Sequence, residues 1–197
     1  YGMKAIEVNV EVHLSRGLPK FTIVGLPETA VKESKDRVRS AILMSQFEFP
    51  GQRITVNLAP ADVPKDGGRF DLAIAIGILI ASKQLPDNLA HGYELIGELA
   101  LSGALRPVSS CLPIAIAVEK VKRSLIVPVE NAEEAGLVES LEIYPANSLL
   151  HVCGHLLNKQ AITKYQKKSK LISADYPDLL DVKGQAYAKY TLEIAAS

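Results

Sequence analysis

Arg53-Ile54-Thr55-Val56-Asn57-Leu58 alternates apolar and polar side chains, and Ala59-Pro60-Ala61-Asp62-Val63-Pro64-Lys65-Asp66-Gly67-Gly68-Arg69-Phe70 follows it directly. The first stretch reads as a short strand with Ile54, Val56 and Leu58 turned inward. The second is a loop of unusual composition. Beyond it, Leu72 to Ala81 is almost wholly apolar. A helix apolar on every side belongs in the centre of a fold, covered all round. Asp71 stands where a helix N-cap belongs.

Outward from this centre the pattern continues. Ala5 to Leu14 places Ile6, Val8, Val10, Val12 and Leu14 on one face and Glu7, Asn9, Glu11 and His13 on the other, a half-buried strand. Ser15 to Pro19 is a turn, and Phe21 to Val24 is expected to return as its hairpin partner. From Glu28 to about Gln46, Val31, Val38, Ala41, Ile42 and Ser45 recur at helical spacing, while Lys32, Lys35, Arg37 and Arg39 point elsewhere. Downstream, Tyr93 to Leu101 is strand-like and Ser102-Gly103 is a hairpin turn. Helices are expected at Pro113–Val121, Ala132–Val138 and Ser148–Leu157, with strands at Leu125–Val129 and Leu141–Tyr144 between them. This alternation gives an α+β fold, a mixed sheet with helices packed on it.

The chain has 197 residues, 48% of them hydrophobic, with 22 Lys+Arg against 22 Asp+Glu. That balance is globular and the length suits one domain with an appendage. A neutral total excludes a protein that grips nucleic acid over its whole surface, so any such contact is local. Two cysteines, Cys111 and Cys153, make neither a disulfide framework nor a four-thiolate zinc site. No apolar run reaches the roughly 18 residues of a membrane span and no signal-peptide pattern opens the chain. A soluble, cytoplasmic protein without membrane contact is expected.

Several side chains could carry chemistry. Gly67 and Gly68 beside Lys65 and Arg69 could bring backbone N–H groups to an anion at the start of the next helix, or could simply permit a tight turn. No Gly-Lys-Ser/Thr follows, so this is not a nucleotide-binding P-loop. His151 and His155 share a helical face as two metal ligands would, but no third ligand stands nearby, and packing is the reading adopted. His13 and His91 are expected on the surface, and Cys111 as a buried, inert thiol. After Asn158, Lys164, Lys167, Lys168 and Lys170 read as a solvated linker with too few aromatics to stack bases. Tyr187, Tyr190 and Ile194 then fall at helical spacing. With no glycine or proline stop after them, the protein is expected to continue beyond Ser197.

Gly17-Leu18-Pro19, Ile23 to Glu28, Arg37 to Ala41, Ile54 to Asp62 and Gly97 to Gly103 together resemble the N-terminal domain of the ComM/YifB family, bacterial AAA+ proteins similar to the ATPase subunit of magnesium chelatase. The resemblance covers nearly the whole chain. It implies residues 1–158 as a domain like that of the Lon protease C-terminal domain and the second domain of ribosomal protein S5. It implies residues 159–176 as a Lys-rich linker, and 177–197, with Asp181 to Gln185, as the entry to the AAA+ module. It further implies a hexameric ring acting on DNA in branch migration, with ATP and Mg2+ bound outside this fragment.

The likeness to Lon brings in a Ser–Lys peptidase as the sharpest alternative. Lon-type enzymes place their nucleophilic serine two positions after Pro-Lys-Asp-Gly, and here that position is Arg69. The run that should hold the catalytic lysine falls on Ser110 to Ile114, which has none. A guanidinium can neither attack a carbonyl nor act as a general base near neutrality. No catalytic, metal or cofactor-binding residue is therefore assigned. Lys65, Arg69, Arg16 and Lys20 are the candidate contacts to DNA or a neighbouring subunit. A chelatase-type motor acting on a protein complex and a free-standing S5-like nucleic-acid module are the rival readings.

Overall fold

The computed structural model describes residues 5–167 and 181–196. The chain falls into two units, Tyr1–Lys167 and Lys168–Ser197. In the first, β1 (Asn9–Ser15), β2 (Lys20–Val24) and β3 (Arg53–Ala59) form a sheet in the order β1-β3-β2. β1 runs antiparallel to β3, and β2 runs parallel to it. The expected hairpin between β1 and β2 therefore does not form. β3, whose Ile54, Val56 and Leu58 are all buried, takes the centre and is paired on both edges. The Arg16–Pro19 arch steps over its width, about 10 Å for two inter-strand spacings. Return to the parallel neighbour needs a crossover, and α1 (Thr29–Met44) supplies it.

α2 (Asp71–Ala81) is the central helix that its composition requires, with Leu72, Ile74, Ala75, Ile76, Ile78 and Leu79 buried. It lies so close to β1 that a Cβ on Gly77 would sit 2.7 Å from Val12 Cγ2. A second sheet, β4 (Tyr93–Leu95), β7 (Ser124–Pro128) and β8 (Ile143–Ala146), is parallel throughout, in the order β4-β7-β8. β7 is buried on both faces: Ile126 joins the core of α1, α2 and the first sheet, while Leu125 and Val127 join a second core. That is why its sequence is continuously apolar rather than alternating. Between β4 and β7, β5 (Glu98–Leu99) and β6 (Leu105–Arg106) make the small hairpin expected around Ser102-Gly103. α3 (Cys111–Lys120), a 3-10 turn (Val129–Asn131), α4 (Ala132–Ala135) and α5 (Leu149–Leu156) complete the unit.

The segment after α5 departs from the solvated reading. Ile162 is buried, and its N–H donates to His155 Nδ1 at 3.1 Å. Tyr165 N–H donates to the Ile143 carbonyl. Lys164 pairs with Glu142 and Lys167 with Glu139, at 2.9 and 3.0 Å. An apolar side chain and two ion pairs hold it where the lysine count alone suggested solvent. Lys168 and Lys170, with the part of the expected 159–176 linker that follows residue 167, lie outside the described residues. In the second unit, α6 (Ala186–Ala196) carries Tyr187, Tyr190 and Ile194.

Candidate functional site

The Pro64–Phe70 loop is fastened from several directions. Pro27 and Lys65 form a parallel bridge, and Glu28 N–H donates to the Lys65 carbonyl at 3.0 Å. The Lys65 side chain is 1% exposed, and its ammonium donates to the Pro60 carbonyl. As a contact to an outside partner it is corrected by this placement: its charge faces inward and ties the loop to itself. Gly67 has φ +69°, and a Cβ on Gly68 would lie 2.5 Å from the Glu98 carboxylate. Turn geometry and close approach thus account for both glycines.

The start of α2 is not an open anion cradle either. Asp71 N–H donates to the Gly68 carbonyl and Leu72 N–H to the Gly97 carbonyl, while Gly97 N–H donates back to the Arg69 carbonyl. Asp71 is not the N-cap expected from its position. The cap residue is Phe70, and no side chain caps the helix. Asp71 is instead fully buried and collects bonds from three residues on two elements, α1 and β5. It accepts from Ser34 Oγ, from Arg37 Nε at 2.6 Å and from Leu99 N–H at 3.2 Å. Burial pushes the Asp71 carboxyl up, and the Arg37 and Ser34 bonds oppose that shift. Arg37, read as pointing away, is the cation that keeps this carboxylate tolerable in the interior. Ser34 falls between Val31 and Val38 on the apolar stripe, the one signal that could have exposed the cluster.

Arg69 is three-quarters buried and stands 3.8 Å from Asp66; its Nε is buried without a hydrogen-bond partner. Its positive field reaches Cys111 at the start of α3, within the run where a Lon-type lysine would lie. Cys111 is fully buried, and desolvation followed by the charge of Glu134 pushes its thiol up to about 12 against the opposing pull of Arg69. Glu134 also accepts Leu112 N–H at 2.9 Å, and so already occupies the first turn of α3. Asn131 pins the preceding loop through a reciprocal pair with Val108, at 2.9 and 2.8 Å. Here the fold joins two segments that sequence placed far apart, in an arrangement without an activated hydroxyl or thiol.

Arg16 and Lys20 are nowhere near this loop. Both are exposed at the Arg53 end of β3, whereas the loop leaves from the Ala59 end, seven residues and about 20 Å along the strand. His13 and His91 are exposed. His155 packs against Tyr144 and Tyr93, with ring centroids 4.7 and 5.6 Å away, and burial lowers its pKa, with His151 adding to the effect. Cys153 is buried, its thiol pushed by burial to about 12. No group of three or more His, Cys, Asp and Glu able to hold a metal occurs among the described residues. Among them, too, no helix is long and apolar enough to cross a membrane.

Comparison with known proteins identifies relatives of the chain. A family described as subunit ChlI of Mg-chelatase matches residues 10–131. The competence protein ComM of Haemophilus influenzae is 49% identical over 201 residues, covering 100% of this chain and 40% of that protein. The uncharacterized protein YifB of Escherichia coli K12 is 48% identical over 196 residues, covering 100% of this chain and 39% of that protein. A Lon protease of Mycoplasma mobile is 28% identical over 86 residues, 43% of this chain and 10% of the protease. The chain therefore spans about two-fifths of the length of the curated relatives that match it throughout.

Proposed function

This chain belongs to the family of subunit ChlI of Mg-chelatase, and we propose on that premise that it is the non-catalytic N-terminal domain of a ComM-type AAA+ ATPase. In this reading the fold is of the S5 domain 2 and Lon type. The whole protein works in the cytoplasm as a hexameric ring on DNA, in branch migration during transformation and recombination. The domain assists ring assembly or DNA engagement. The observation that carries the reading is the 49% identity to a competence protein along the entire chain.

The chain's own residues favour engagement over chemistry. ATP and Mg2+ would be held elsewhere in the protein, because no Gly-Lys-Ser/Thr occurs here. Peptide hydrolysis would need a hydroxyl beside a base. Position 69 offers a guanidinium, and the neighbouring thiol at position 111 is protonated at any ordinary pH. The buried Ser34 hydroxyl is spent on Asp71. Arg16 and Lys20 remain as outward-facing candidates, whereas Arg69 is three-quarters buried on a separate part of the unit.

The test uses the full-length protein with and without residues 1–167. Removal should leave basal ATP turnover but impair hexamer formation, junction-DNA binding, or both. Undiminished assembly and DNA binding after removal would reject the proposal. Casein cleavage by the purified chain would instead restore the peptidase alternative.

A further inference from the structure

The first sheet has a covered face and an open one. Ile54, Val56 and Leu58 turn toward α2 and the core, so Arg53, Thr55 and Asn57 occupy the opposite face. The register then fixes their neighbours. Arg53 is flanked by Ser15 and Lys20, Thr55 by His13 and Thr22, and Asn57 by Glu11 and Val24. Directly paired residues share a face, so one rung holds Lys20 beside Arg53, with Arg16 following Ser15 on the adjoining arch.

Two cations side by side across a strand pair repel each other. Here no carboxylate relieves them: among the described residues no ion pair reaches Arg16, Lys20 or Arg53. The strand acid on this face, Glu11, lies two rungs farther along and accepts from Asn57 Nδ2 at 2.8 Å. Glu7, just before β1, is engaged by Arg123. The basic end is thus left unneutralised although the chain as a whole is neutral, and a local field suffices to attract a polyanion.

We infer that the open face of the first sheet, headed by Arg16, Lys20 and Arg53 and continued by Thr22, Thr55 and His13, is a binding surface for the phosphate backbone of duplex DNA. The chemistry of the face selects that partner. It presents ammonium, guanidinium, hydroxyl and imidazole groups, the donors that phosphate contacts use. It has no aromatic side chain on which an unpaired base could stack. It offers no cluster of the apolar anchors that dominate protein–protein contacts: its exposed hydrophobic side chains, Leu18 on the arch and Val24 at the Glu11 end, stand at opposite ends of the surface. Contacts of this kind position a duplex without reading its sequence. The inference rests on the DNA-acting reading above and deepens it by assigning engagement to this face, away from the Arg69 loop.

The test is fluorescence anisotropy of the 197-residue chain with a labelled duplex across a salt series. The parent is compared with Arg16→Gln/Lys20→Gln/Arg53→Gln and, separately, with Arg69→Gln. The triple variant should bind at least about tenfold more weakly at low salt, and its log K against log salt slope should be shallower by about three. Arg69→Gln should match the parent. Circular dichroism melts confirm that both variants fold, which the exposed positions of Arg16, Lys20 and Arg53 allow for the triple variant. A triple variant that retains parental affinity and slope overturns the inference but leaves a DNA-acting domain standing. Failure of the parent to bind duplex at low salt overturns both the inference and the engagement reading. Equal or tighter binding of a labelled poly-glutamate peptide overturns the choice of nucleic acid over an acidic protein.

Discussion

The two ends of β3 carry the same kind of charge and use it in opposite ways. At the Ala59 end, Lys65 is turned inward onto Pro60, and Arg37 is bound to buried Asp71. At the Arg53 end, Arg53 and Lys20 share a rung, stand in the open, and answer to nothing else in the described residues. The first end spends its cations on holding the loop, α1, α2 and β5 together. The second leaves them available. Cationic residues therefore differ in meaning with burial and partner, not with their number in the sequence.

The largest expected effect lies beside the closed end. Gly25 has φ +96°, and a Cβ there would run into the Leu58 backbone carbonyl, which has no room to retreat. Gly25→Ala should lose on the order of 5 kcal/mol or fail to fold, read by urea denaturation. A near-neutral result would mean that β2 does not close against Leu58 in this way.

Next comes Arg37→Met, which strands the Asp71 carboxylate in the interior. It should cost about 3–5 kcal/mol. Without its cation, the Asp71 carboxyl rises further above its unfolded value. The variant's deficit should be smallest below that unfolded value, near pH 4, and should grow as pH rises through the folded one. Chemical melts at pH 4 and pH 7 measure the difference; a deficit independent of pH would remove Asp71 as the cause.

The thiols give a smaller, graded effect. With Cys111 and Cys153 pushed to about 12 by burial, the unfolded chain loses those protons first. Stability should be intact below about pH 8.5 and fall above it by up to about 1.4 kcal/mol per pH unit for each thiol. Cys111→Ala should remove its share of that slope. At pH 8 the native thiols should react with iodoacetamide on the order of a thousandfold more slowly than an exposed cysteine.

The smallest effect belongs to the open end. Lys20→Gln and Arg53→Gln should change stability by no more than about 0.5 kcal/mol, with any change toward gain, since a like-charge pair is relieved. A substantial loss would show that these cations are structural after all, and would dissolve the contrast between the two ends.

Local pattern carried much of this fold. The buried helix from Asp71, the alternation of Ile54, Val56 and Leu58, and the Ser102-Gly103 turn were legible because periodicity reports burial directly. What was not legible is pairing at a distance. Nothing in Ser15 to Val24 says that β3 will slide between two strands joined by a short turn, because strand order depends on which strand best fills the centre. The candidate site divides the same way. The replacement at position 69 could be read from the loop, but the inward turn of Lys65 and the Ser34–Arg37–Asp71 cluster required three dimensions. Arg53 escaped notice because its neighbours Ser15 and Lys20 become neighbours only through the register.

Mapping amide chemical shifts of the isotopically labelled chain during titration with a DNA duplex tests the contrast between the two ends most directly. Perturbations should gather on Ser15 to Thr22 and on Arg53 to Asn57, leaving Gly67 to Phe70 and Cys111 unmoved. Shifts concentrated at the Arg69 loop, with the Arg53 rung silent, would contradict the account.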